Sequence, residues 1–258
     1  MFMRNELEEF LKKLGVFKMG VADPKQGFRM AKSGCHPKNV MKTCNSVAVF
    51  ALHVGLDYYA ALEYCQEGNV ESRVLNIYRD WVSFQLFNFL KEMGHDAVVP
   101  HSFKDEKDKI ARLSFKLVAY EAGLGVFGRP SILITPEYGP RVNLGVVLTD
   151  ASIKPDEPLE DFNPCQGCDT CARLCPINAI NQKLMPPKGF DRSRCVEFVD
   201  QIREKTKRKV MLCGYCYNFC PVGEISQKTF RLSKWKTLLD LNKHQRNRLL
   251  RILNTSKE

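Results

Sequence analysis

The chain has no apolar run approaching the ~18–20 residues that a membrane span requires, so nothing in it reads as a transmembrane helix. Its histidines are few and scattered: His36, His53, His95, His101 and His244 form no pair at a metal-binding spacing, and none is assigned a role. No fixed-period repeat is present beyond a short cysteine pattern, which excludes a solenoid or a propeller. The opening residues, MFMRNELEEFLKKLG, are charged and helix-like and lack the apolar core of a secretory signal. Without such a signal, a disulfide scaffold is a poor explanation for eleven cysteines. The expectation is metal ligation in a reducing cytoplasm.

What is present is a globular composition, 44% hydrophobic and 26% charged over 258 residues, enough for one large domain or two ordinary ones. The net charge of +10 is unevenly placed. Residues 228–258 hold nine Lys or Arg against two acidic residues, or +7, and residues 203–209 add five against one, or +4. A solvated helix face explains such runs as well as a phosphate-attracting surface does. The second reading suits an RNA partner.

The cysteines carry the sharpest signal. Cys165, Cys168, Cys171 and Cys175, followed by Pro176, read as C-x₂-C-x₂-C-x₃-C-P, half of a two-cluster ferredoxin. In that pattern the fourth cysteine ligates the other cluster. The second half is short by one: Cys213, Cys216 and Cys220 before Pro221 match the second to fourth positions. The missing first position falls to Cys195, with 196–212 as an insertion. One [4Fe-4S] cluster then takes Cys165, Cys168, Cys171 and Cys220, and the other takes Cys175, Cys195, Cys213 and Cys216. Structural zinc also uses C-x₂-C pairs but has no need of three cysteines at successive three-residue intervals. Cys35, Cys44 and Cys65 lack such spacing and read as ordinary half-buried thiols.

Upstream, three helical patterns each end in a glycine: about 4–14 before Gly15, 71–93 before Gly94 and 106–122 before Gly123. The middle one is apolar over much of its circumference and is expected to be buried. Short β-branched runs at 46–54, 96–100, 131–135 and 142–150 predict strands, giving an α+β or α/β layer domain. Residues from 151 to the first cysteine, with Pro155, Pro158 and Pro164, read as a linker. The expected divisions are a cofactor domain over 1–155, a two-cluster module over 156–226 and a basic amphipathic helix over 227–258. Gly123, Gly125 and Gly128 nominally match a dinucleotide-binding fingerprint. That motif must follow a strand and open a helix, whereas here it follows a helix and leads into a strand.

The stretch AYEAGLGVFGRPSILITPEYGPRVNLGVVLTD, 119–150, resembles a signature shared by epoxyqueuosine reductases and reductive dehalogenases. Its parts are an AGLG turn, a Gly-Arg pair, an apolar strand, a glycine turn and a strand ending in Thr-Asp. The order of the cysteine motifs that follow is also similar. The likeness covers roughly 115–222 strongly and 1–115 loosely. It implies a nitroreductase-like α/β N-terminal domain holding cobalamin, with its lower base displaced, beside a bacterial-ferredoxin-like module. The residues matching the cofactor loop are Gly123, Gly125, Gly128 and Arg129, then Gly139, Pro140 and Arg141.

The resemblance further implies an oxidoreductase that draws electrons from a ferredoxin- or flavodoxin-type donor and acts on a modified tRNA or a small molecule. The chain departs from the pattern at the proton donor. The family's Asp-x-x-Pro-x-Leu-Glu segment is missing, Lys109 stands at the Asp position, and Asp105 and Asp108 are near. No catalytic residue is therefore assigned. The rival reading is an electron-transfer or reductive-activator protein without a small substrate of its own, and a flavin is the alternative occupant of the first domain.

Overall fold

A computed structural model describes residues 2–53, 69–100, 113–184, 186, 188–206, 214–218 and 220–223. Cys65, His101, Asp105, Asp108, Lys109, Cys213 and the basic helix expected over 227–258 lie outside them. The chain divides into two compact units. The first comprises Met1–Val54, Val70–Val126 and Val142–Phe162; the second comprises Gly55–Asn69, Phe127–Arg141 and Asn163–Glu258.

The first unit is built on a four-stranded antiparallel sheet. Its strands are β1 (Lys18–Ala22), β2 (Ser46–His53), β3 (Ala97–Val98) and β6 (Val142–Thr149), in the order β1-β2-β6-β3. β2 and β6 pair along their full lengths, from Ser46 opposite Thr149 to His53 opposite Val142. Both central strands are buried on both faces, which is why they read as continuous apolar runs rather than alternating ones. Where Phe50 faces Gly145, its ring occupies the space a Cβ would need.

One face of the sheet is covered by α1 (Phe2–Lys13) and α3 (Asn69–Glu92). Leu7 and Leu11 from α1 and Val82, Leu86 and Leu90 from α3 pack with Val21, Ala48, Phe50, Leu52 and Val147. Each such side chain contributes roughly 1.5–3 kcal/mol relative to exposure. The other face carries α4 (Phe115–Glu121), which meets β1, β2 and β6. The one-turn α2 (Pro37–Val40) is capped by the His36 ring, which accepts from the Lys38 N–H.

Two expectations change. The helix expected over 106–122 begins only at Phe115 within the described residues, because Ser114 sits in extended backbone and its hydroxyl accepts from the Leu117 N–H. A serine in that role stops a helix from extending backward. The apolar circumference of α3 is also only partly buried. Val82, Leu86 and Leu90 are fully enclosed, whereas Ile77 is 66% and Phe84 53% exposed. A helix lying on a flat sheet can bury only one stripe, and the second apolar stripe of this one faces outward.

The segment read as a linker has no regular structure, yet it is tied down. The Asp156 N–H donates to the Val21 carbonyl at 2.8 Å, and its carboxylate accepts from the Val21 N–H at 2.8 Å. Arg4 reaches the same carboxylate at 2.9 Å. The Ser46 hydroxyl holds Ala151 and Ile153 in the same way, accepting from Ile153 and donating to the Ala151 carbonyl. Asp156 in the linker therefore satisfies both backbone groups of Val21 on the edge strand β1.

A two-stranded hairpin pairs β4 (Val126–Phe127) with β5 (Leu133–Ile134), and β5 belongs to the second unit. The cysteine-bearing part of the second unit contains α5 (Thr170–Leu174), α6 (Arg192–Thr206) and α7 (Tyr215–Asn218), and α5 packs against α7. Among the described residues, no helix is long and apolar enough to cross a membrane.

Candidate iron–sulfur site

The two short helices that pack together each carry a cysteine, Cys171 on α5 and Cys216 on α7. α5 stops where its motif requires, since Cys175 is already extended and Pro176 follows. This local geometry repeats the C-x₂-C-x₃-C-P spacing in space and sorts the cysteines into two neighbourhoods.

In the first neighbourhood, Cys171 interacts electrostatically with Cys165, Cys220 and Cys168, and Cys220 with Cys168 and Cys165. Burial, then the neighbouring sulfurs, push the Cys171 thiol up to about 12, and burial pushes Cys220 up to about 11. Burial raises Cys165 as well, against the Arg129 N–H and the Arg129 charge. In the second neighbourhood Cys175 packs with Ala179 and Ile180, and Cys171, Cys195 and Cys216 lie against that apolar cluster. The Ala179 N–H points at the Cys175 sulfur, 3.2 Å away. Cys195, on the first turn of α6, is raised by burial and then by Cys175. Cys213 lies outside the described residues.

A cationic centre bound by these sulfurs would deprotonate its ligands outright. Among the described residues, no three His, Cys, Asp or Glu side chains close on a single ion. A cluster of the [4Fe-4S] type takes four cysteine thiolates, the donor type gathered here. The donor set fits an iron–sulfur cluster.

The loop residues matched to cobalamin are placed differently. Gly123 and Gly125 belong to the first unit, and Gly128, Arg129, Gly139, Pro140 and Arg141 to the second. Arg129 stands in the Gly128–Ser131 turn, closed by Ser131 N–H to Gly128 carbonyl at 2.9 Å. From there its guanidinium donates to four carbonyls: Cys165 at 3.0 Å, Cys168 at 2.9 Å, Gln182 at 2.7 Å and Leu184 at 3.1 Å. Arg141 is 1% exposed and donates to the Cys220 carbonyl at 3.1 Å and to the Val222 carbonyl. A Cβ on Gly123 would meet the Glu157 carbonyl, and one on Gly128 the Ile134 side chain. These contacts are with the protein itself.

Sequence reasoning missed both arginine clamps. The Gly-Arg-Pro and Gly-Pro-Arg turns were visible, but not their targets, because backbone carbonyls leave no trace in residue identity. Of the remaining cysteines, Cys44 is 1% exposed and burial pushes its thiol up to about 11, while Cys35 is half-buried.

Comparison with known proteins narrows the reading. No protein-family profile matches the chain. It is 31% identical to the epoxyqueuosine reductase of Bacillus subtilis over 147 residues, which are 54% of this chain and 35% of that protein. A crystal structure of epoxyqueuosine reductase with an epoxyqueuosine-modified tRNA-Tyr stem loop matches at a TM-score of 0.59 and 23% identity, covering 89% of this chain and 67% of that one. The chain is similar to epoxyqueuosine reductases and reductive dehalogenases. A reductive dehalogenase structure described as suggesting a mechanism for B12-dependent dehalogenation has the same fold, with a TM-score of 0.57 and 20% identity over 75% of this chain and 28% of that one. The chain spans about a third of the length of the curated relatives it matches. Those relatives are oxidoreductases, and the mixed α/β fold is shared with their structures.

Proposed function

We propose that the chain is an iron–sulfur oxidoreductase of epoxyqueuosine reductase-like type, with a nitroreductase-like cofactor domain over 1–155 and a two-cluster module over 156–226. The observation that carries this reading is the gathering of cysteines: Cys165, Cys168, Cys171 and Cys220 interact as one set, while Cys195 and Cys216 lie with Cys175 around an apolar cluster that Cys171 also touches. This gathering supports the crossed ligation of a two-cluster ferredoxin, in which Cys213 would complete the second set. When bound, the clusters pass single electrons.

The chain's own part is to hold the thiols in register, to aim N–H groups at sulfurs, as Ala179 does at Cys175, and to bury the first set. Hydrogen bonds to sulfur and burial both tune cluster potential. Cobalamin as the third cofactor, a ferredoxin- or flavodoxin-type donor and a tRNA substrate rest on the relatives, one of which is seen with a tRNA stem loop.

The test is anaerobic reconstitution with iron and sulfide, followed by iron and sulfide counting and titration with cob(II)alamin under EPR. Two clusters and a cobalamin spectrum without nitrogen coupling from the lower base would support the full reading. Two clusters with cobalamin left as free cofactor would reduce it to an electron carrier or an enzyme with a different cofactor.

A further inference from the structure

The two arginines assigned by resemblance to a cofactor loop share one pattern. Each leaves a tight turn in the segment 127–141 and buries its guanidinium against backbone carbonyls of the cysteine-bearing segments. Arg129, 8% exposed, holds the Cys165 and Cys168 carbonyls together with those of Gln182 and Leu184. Arg141 holds the Cys220 and Val222 carbonyls. Cys165, Cys168 and Cys220 all belong to one ligand set. Among the described cysteines of the other set, Cys195 is influenced by Arg192 and Asp191, not by either clamp.

We propose that Arg129 and Arg141 are positioning residues for the cluster held by Cys165, Cys168, Cys171 and Cys220, and that their buried charges raise that cluster's potential above what its sulfurs alone would set. The proposal rests on the iron–sulfur reading above. Two physical effects support it. A planar guanidinium donates several N–H groups in fixed directions, so one side chain can fix several carbonyls at once and pre-arrange the backbone that carries the thiols. A cluster gains negative charge on reduction, and a buried positive charge nearby favours that state because little water screens it. Turn geometry makes both arginines stiff: Ser131 N–H to Gly128 carbonyl closes the first turn, and the reciprocal Thr135–Gly139 pair, 2.9 Å in each direction, closes the second.

The experiment is an equilibrium redox titration of the reconstituted full chain, read by EPR and paired with iron counting. It compares wild type with Arg129→Gln, Arg129→Lys, Arg141→Gln and Arg141→Lys, and with Arg173→Gln as a control. Arg173 lies on the ligand-bearing helix α5, but its side chain is 69% exposed. The expected result is that each Gln variant moves one of the two midpoint potentials to more negative values and leaves the other in place. The Lys variants should move it less, and Arg173→Gln should move neither. Selective loss of one cluster in a Gln variant, restored by the Lys variant, supports the proposal equally. Unchanged potentials at full iron content in both Gln variants would overturn it. So would equal shifts of both clusters, or joint loss of both clusters in every variant. If the wild-type chain takes up no iron and sulfide, the cluster reading itself has failed, and the proposal falls with it before any variant is compared.

Discussion

Gly139 lies directly against the carbonyl of Val222: a Cβ placed on Gly139 would collide with that oxygen. The contact is matched a residue later, because a Cβ on Gly223 would come within 2.6 Å of the Tyr138 carbonyl carbon. Two glycines thus let the turn that launches Arg141 cross the chain just beyond Cys220. Gly139 also has φ +59°, a region that costs a side-chain-bearing residue about 1–3 kcal/mol.

Gly139→Ala is therefore expected to lower the thermal midpoint of the reconstituted protein and its iron content, with an energetic cost of at least about 1 kcal/mol from backbone conformation alone. Gly34→Ala supplies the comparison, since its φ is also positive but nothing lies within 4 Å of its Cβ position. Equal iron content in the two variants would mean that the crossing near Cys220 is not what Gly139 serves.

Cysteine substitutions should be non-additive within a set and additive between sets. Cys220→Ser alone is expected to remove roughly half the iron, as loss of one of two four-iron clusters requires. Adding Cys165→Ser should change little further, whereas adding Cys195→Ser should remove most of the remainder. Iron and sulfide counts on the four proteins decide the matter. A Cys220–Cys195 pair that behaves as one unit would reassign the ligands.

Asp156 should matter for stability and not for cluster content. Its carboxylate accepts from Val21 at 2.8 Å and Arg4 at 2.9 Å and is partly exposed. Asp156→Ala is expected to cost about 1–2 kcal/mol, discounted for solvent access, through an unpaired edge-strand N–H. Urea unfolding with an unchanged m-value and a lower midpoint is the signature.

The basic runs bear on the partner. Neutralising the nine Lys and Arg residues of 228–258 is expected to flatten the salt dependence of tRNA binding, while a substitution on the first unit's surface leaves it as it was. Binding isotherms at several salt concentrations give the slope. An unchanged slope would remove the tail from the phosphate contacts.

Much of the fold was legible because burial on both faces leaves a strong signal: 46–53 and 142–149 are apolar runs bounded by turn residues, and both are central strands. β1 was missed because Lys18–Ala22 is short and holds a glycine and a lysine, so nothing in its composition marks a strand. It is a strand because it pairs with β2 along its length, with Asp156 bonding Val21 on the outer edge. The second apolar stripe of α3 was misread for the converse reason. Periodicity shows which residues share a face but not what lies opposite.

For the candidate site the division falls between side chains and backbone. Cysteine type and spacing are written in the chain, since a thiolate ligand must be a cysteine and a short motif holds its members close whatever the rest of the fold does. Which sulfurs gather, and what holds them, depends on distant segments meeting in space, as when Arg129 donates to the carbonyls of Cys165 and Cys168, 36 and 39 residues along the chain. Every residue carries such a carbonyl. The sequence alone therefore determined which atoms could ligate a cluster, and only the tertiary structure decided that Arg129 and Arg141 serve the ligand backbone, because a carbonyl becomes a specific partner only through its position.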